Sequence, residues 1–127
     1  MLYSDATDQI LKAFYKVYNF LGYGFLEKVY ENALLIELTA SGLQVFQQYP
    51  IQVFYQKQPV GEYFADIIVN DLIILELKAA ECLRDEHSAQ LANYLKATKK
   101  EVGLLLNFGP KPEFKRIVFT NSFQKSA

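Results

Sequence analysis

At 127 residues the chain has the size of one ordinary domain, with no room for a second core. Half of it is hydrophobic (51%) and 15% aromatic, which supplies a core and argues against disorder. Net charge is −1 from 13 basic and 14 acidic side chains, so no global attraction to a polyanion exists, and tight duplex binding by charge alone is disfavoured.

The first ten residues, MLYSDATDQI, lack the basic-then-apolar plan of a secretory leader. Ser4 or Asp5 is placed to cap a helix whose apolar positions Ile10, Phe14, Val17, Tyr18 and Leu21 recur at helical spacing. Gly22 and Gly24 interrupt it. A second helix is predicted from about Phe25 to Ala40, ending at Gly42, a natural left-handed C-terminal position. Residues 43–56, rich in Val, Phe, Tyr and Gln around Pro50, predict one bent strand or two short ones.

Lys57 to Gly61 reads as a turn, followed by strands over 62–69 and 72–79 about Asn70 and Asp71, the clearest hairpin signal in the chain. A third helix is predicted over Asp85–Lys99 with Leu91, Tyr94 and Leu95 on one side, then strands Val102–Asn107 and Phe114–Thr120 and a polar, frayed tail from Asn121. The order describes one mixed α/β domain. No apolar run approaches the roughly 20 residues that span a bilayer, and the sole cysteine, Cys82, excludes an intrachain disulfide and a cysteine-rich zinc site. A reduced, cytoplasmic setting is expected.

The hairpin segment GEYFADIIVNDLIILELKAA carries the chemistry. Asp66, Glu76 and Lys78 sit in strands otherwise almost wholly apolar, where an unpaired charge costs several kcal/mol unless it is paired or ligates a metal. Glu76 and Lys78, two apart, share one face of a strand whose other face is Ile73, Leu75 and Leu77. A two-residue loop would put Asp66 opposite Leu75 and facing away from Glu76. A three-residue loop or a bulge would put it opposite Glu76, as a metal site requires. Two carboxylates can share Mg²⁺ and leave room for water and a phosphate oxygen, and a neighbouring lysine can orient or deprotonate that water. The alternative is a salt bridge between Glu76 and Lys78. A second Glu-x-Lys, at Glu113 and Lys115, reads as a solvated strand edge.

Gln90 and Tyr94, four apart, share a face of the third helix, and Glu27 and Tyr30 share a face at the start of the second, with Glu31 close by. By themselves these read as a core tyrosine beside a surface glutamine and as an acidic first turn favoured by the helix dipole. His87, at the start of the third helix, reads as solvated, and Cys82 as inert packing.

Together these residues resemble the GxxExxY proteins of the PD-(D/E)XK nuclease-like superfamily. The naming motif stands as Gly24, Glu27 and Tyr30 within GYGFLEKVYENAL, followed by the hairpin triplet, AQLANYLKAT and VGLLLNFG. The resemblance covers about residues 5–120 of a single domain spanning 1–127. It implies a restriction-endonuclease-like α/β core, a central mixed β-sheet flanked by helices. It also implies catalysis by Asp66, Glu76 and Lys78, with Asp66, Glu76 and Glu27 as ligands of Mg²⁺ or Mn²⁺, and Gln90, Tyr94 and Tyr30 contacting substrate. The implied activity is metal-dependent hydrolysis of nucleic acid, DNA ahead of RNA. A non-catalytic nucleic-acid- or protein-binding module on the same fold is the alternative, and a homodimer would supply the surface that a domain this small lacks.

Overall fold

In a computed structural model, residues 2–120 are described. The elements run α1 (Ser4–Leu21), α2 (Glu27–Ala40), β1 (Val45–Tyr55), β2 (Gln58–Val69), β3 (Ile73–Lys78), α3 (Asp85–Thr98), β4 (Val102–Phe108) and β5 (Pro112–Val118). The predicted polar tail from Asn121 lies outside the described residues.

The strands form one sheet in sequence order, β1 to β5. Only β3 and β4 are parallel; the other neighbours are antiparallel. The parallel pair requires a crossover, and α3 is that crossover. Helices α1 and α2 cover one face, where Ile10, Phe14, Leu34 and Leu38 pack on Ile67, Val69, Ile73, Leu75, Leu77 and the even-numbered side of β4, Val102, Leu104 and Leu106. Helix α3 covers the other face, where Leu91, Tyr94 and Leu95 meet Ile51, Ala65, Ile68, Ile74 and Leu105. Because both faces are covered, β3 and β4 are apolar almost throughout instead of alternating. At Gly103 an added Cβ would lie 2.8 Å from a Leu91 methyl, so this glycine lets α3 settle close on β4.

Several boundaries differ from expectation, each for a local reason. Neither Ser4 nor Asp5 caps α1; the helix starts at Ser4 behind a left-handed Tyr3 (φ 55°), with no side-chain cap bond. Helix α2 starts at Glu27, not Phe25. The turn after β1 is shorter and earlier than Lys57–Gly61: Gln56 and Lys57, both left-handed, make a two-residue turn, and Gln58–Gly61 are already strand. Residues 43–56 give one bent strand, and Pro50 is tolerated because β1 is a sheet edge. No helix among the described residues is long and apolar enough to cross a membrane.

The bend in β1 has a counterpart in β2. Ala65 and Ile68 pack toward α3 while Ile67 and Val69 pack toward α1 and α2, so strict alternation fails between Ala65 and Ile67, at Asp66. In β1 the matching break is Gln48, whose φ of 53° separates Val45, on the α1–α2 face, from Tyr49 and Ile51, on the α3 face. Gln47 pairs with Ile67 and Tyr49 with Ala65, so Gln48 stands across from Asp66. Both strands change face at one level of the sheet.

Candidate active site

The β2–β3 ladder has three pairs, Ile67↔Leu75, Ile68↔Ile74 and Val69↔Ile73. Asn70, Asp71 and Leu72 form the connection, with Asn70 and Asp71 left-handed and the Leu72 N–H donating to Val69 O (2.9 Å). The loop thus takes three residues. Continuing the register by one step sets Asp66 opposite Glu76, the arrangement that a shared site requires. Beyond that step β2 leaves β3 and continues with β1 alone, so the sheet splits at the carboxylates.

At the split a side chain replaces a strand. The Leu77 N–H donates to Asp66 Oδ2 at 2.8 Å, taking from a carboxylate what an antiparallel neighbour's carbonyl would otherwise supply. Glu76 is 5% exposed, and its Oε1 is buried with no hydrogen-bond partner. Burial, with the charge of Asp66 beside it, pushes the Glu76 carboxyl up to about 9. Burial also raises Asp66, against the Leu77 N–H and the contact with Glu76, which lower it. Two neighbouring carboxyls do not both ionise cheaply, so burial and the charge of Asp66 together favour the protonated form of Glu76.

Lys78 does not neutralise them by ion pairing. Among the described residues the salt bridges are Lys16–Glu37, Lys28–Glu31 and Lys100–Asp71, so the Glu76–Lys78 salt bridge considered from sequence does not form. The Lys78 ammonium instead points to α3, donating to Gln90 Oε1 at 3.4 Å, and Gln90 Nε2 donates to Tyr94 OH at 3.0 Å. Burial raises the Tyr94 hydroxyl, with Glu76 contributing. Gln90 and Tyr94 are thus brought to the site by the helical i, i+4 spacing.

Glu27, in the first turn of α2, faces the same group. Burial raises its carboxyl and Asp66 adds to the rise, while Lys78 and the Ala79 N–H lower it. It stands beside the pair without closing it: among the described residues no three Asp, Glu, His or Cys side chains gather into a ready metal cage. The donor set that fits a divalent cation is therefore the Asp66–Glu76 pair. Its oxygens are hard donors suited to Mg²⁺ or Mn²⁺, and the orphaned Glu76 Oε1 is a buried acceptor awaiting a partner.

Tyr30 is a correction. It is fully buried, stacked on Phe108 at 4.4 Å, and its hydroxyl donates to Gly22 O (2.7 Å) and accepts from the Phe25 N–H (3.2 Å). It staples the α1–α2 connection, where Gly22 and Gly24 adopt positive φ (69° and 118°), and has no face left for a substrate. In Gly24-x-x-Glu27-x-x-Tyr30 the glycine turns the chain, the tyrosine anchors the turn, and the glutamate is the member that reaches the site.

Two residues without an assigned role prove to be structural partners of the site. Glu31, 4% exposed, accepts from Lys28 Nζ (2.9 Å), from Gln48 Nε2 (3.2 Å to each oxygen) and from Gln47 Nε2, fixing the kinked level of β1 to α2. Its sequence signal was its position four after Glu27. Asn107, wholly buried at the end of the apolar VGLLLNF, accepts from the Ala80 N–H (2.9 Å) and donates to Ala80 O (3.0 Å), holding the chain just past Lys78. Gly109 makes this approach feasible, since a Cβ there would lie 2.1 Å from Ala80 O. A lone amide in an apolar strand was the available clue. His87 is not free in solvent as expected: its Nδ1 accepts the Arg84 N–H (3.0 Å) and caps α3. Cys82 is exposed, not packed.

A family model described as the PD-(D/E)XK nuclease superfamily matches residues 4–117. No curated protein matches the chain. Among solved structures, the crystal structure of SSO0001 superposes with a TM-score of 0.59 at 16% identity, covering 77% of this chain and 54% of that one. An alkaline exonuclease (LHK-Exo) from Laribacter hongkongensis superposes with a TM-score of 0.56 at 9% identity, covering 99% of this chain and 75% of its own. The chain thus spans about half the length of SSO0001. At these identities the likeness is one of fold.

Proposed function

This chain belongs to the PD-(D/E)XK nuclease superfamily, and we propose that it is a divalent-metal-dependent nuclease, with DNA as its first substrate class, acting through Asp66, Glu76 and Lys78. The observation that carries this reading is the buried Glu76 carboxyl opposite Asp66, with Oε1 unpartnered and no salt bridge to Lys78. A purely structural carboxylate would have been given a donor, because an unpaired polar atom at this depth costs about 1–3 kcal/mol.

Asp66 and Glu76 would hold Mg²⁺ or Mn²⁺, which when bound supplies positive charge against the phosphate and acidifies a water. The rest falls to the chain's own residues. Lys78, aimed by Gln90, presents an ammonium beside the carboxylate pair, where it can orient the attacking water and offset charge developing on the phosphate. Tyr94 holds Gln90 from behind, and so fixes the lysine at one remove. Glu27 adds negative charge on the α2 side and can accept a proton from a water near the pair.

The direct test is cleavage of linear and supercoiled DNA in Mg²⁺ by the wild type and by Lys78→Ala, with thermal melting to confirm folding. Cleavage that vanishes in the folded variant supports the assignment. Cleavage retained in Lys78→Ala rejects this mechanism, and none by the wild type with either metal, on DNA or RNA, turns the reading to a non-catalytic binding module.

A further inference from the structure

Beyond the carboxylates, β1 and β2 continue as a two-stranded arm whose last turn leaves the body. Residues 54–60 are all exposed, on both faces. The arm is aromatic where water would favour charge: Phe54 is 61% exposed, Tyr55 66%, Tyr63 50% and Phe64 49%. From Pro50 to Phe64 its only charged residues are Lys57 and Glu62.

The arm is joined to the site. Tyr63 lies across from Ile51, which is buried under α3, and its ring sits 5.6 Å from that of Tyr94. Tyr94 bonds Gln90, which bonds Lys78. Phe64, the next residue, turns to the opposite face, as strand alternation requires. Two half-exposed rings thus stand two and three residues before Asp66, one on each face of the arm.

From this we propose that the arm is a stacking platform that delivers single-stranded nucleic acid to the site, a reading that rests on the nuclease assignment and narrows its substrate. A duplex hides its base faces and is held through its phosphates, which takes a cationic surface. This arm is neutral and the chain's net charge is −1. Unpaired bases offer flat apolar faces that stack on aromatic rings one at a time, with no need for dense positive charge. The rings' distribution over both faces suits such separate contacts; a protein partner would cover a single face.

The test measures binding of a short fluorescein-labelled oligothymidylate by the full chain, in Mg²⁺ and in the Lys78→Ala background so that the strand survives. An abasic strand of equal length and a duplex serve as competitors. The expected result is that the base-bearing strand binds about tenfold more tightly than the abasic one. Tyr63→Ala and the Phe54→Ala/Tyr55→Ala pair should each lose that advantage, and Tyr63→Phe should keep it. The tip pair is mostly exposed, so it remains informative if Tyr63→Ala misfolds. Equal binding of abasic and base-bearing strands, or tighter binding of the duplex, overturns the proposal. So does a dimer in sedimentation that dissociates in the tip variant, which would give the arm to a second copy. Failure of the nuclease reading looks different: base-dependent binding would persist while the wild type cleaved nothing. Loss of base dependence with Lys78-dependent cleavage intact removes the arm's role alone.

Discussion

The chain contains Glu-x-Lys twice, and the two copies have opposite fates. Glu113 and Lys115 lie on β5, a sheet edge; Lys115 is exposed, and Glu113 Oε1 accepts a hydrogen bond from Asn107 Nδ2 at 3.2 Å. Glu76 and Lys78 lie on β3, the central strand, covered on both faces. There the glutamate is buried with an unpartnered oxygen and faces a second acid. The tripeptide is the same, and the position in the sheet decides the chemistry. Water solvates the edge copy cheaply, while the central copy retains a cost that the proposed metal-binding role would explain.

That contrast can be broken most severely through activity. Glu76→Gln should lower Mg²⁺-dependent cleavage by about a thousandfold, in the range seen when one group of an electrostatic site is removed. Glu113→Gln should stay within about twofold of wild type. Comparable losses in single-turnover rates would mean that the sheet position does not matter.

Stability should move the other way. The folded protein holds the Glu76 proton up to about pH 9, whereas the unfolded chain releases it near the ordinary 4.5. Since the folded value is raised, the stability associated with this group is fully present below about 4.5 and declines as pH rises toward 9. Metal-free Glu76→Gln should therefore be more stable than wild type at pH 7, by roughly 2 kcal/mol, with the gain vanishing at pH 4. Urea denaturation in a chelator at the two pH values measures this. A destabilised variant at pH 7 would make Glu76 a structural partner after all.

At the edge copy the effects shrink. Glu113→Gln weakens one hydrogen bond to buried Asn107 and should cost about 0.5–1 kcal/mol. Lys115→Ala, at an exposed site, should lie within about 0.5 kcal/mol of wild type by the same denaturation series.

The element order and the charges that interrupt the apolar hairpin were legible because they rest on periodicity and pattern, and Ile73, Leu75 and Leu77 did fill the face opposite Glu76 and Lys78. The alternation rule could pose the question of Asp66 but not answer it, since a two-residue and a three-residue loop differ only in whether Leu72 belongs to the strand. Tyr30 misled because three-residue spacing places it on the face of Glu27 without saying how deep that face lies. Its depth follows from Gly22 and Phe25 folding back over it. The face change at Gln48 and Asp66 had no signal, since the left-handed position falls on Gln48 and not on a glycine that would have marked it. The turn at Gln56 and Lys57 escaped for the same reason.

Asp66 spends one oxygen on the Leu77 N–H, so the ladder and the chemistry share a single side chain. Glu76 has no such second duty. The two acids therefore differ in how easily a lineage could give them up. Under the proposed mechanism, losing Glu76 would silence the site and relax the fold, while losing Asp66 would silence it and leave a strand end untied. A chain drifting from enzyme to inert scaffold would be expected to shed its glutamate first and to keep its aspartate long after the reaction is gone.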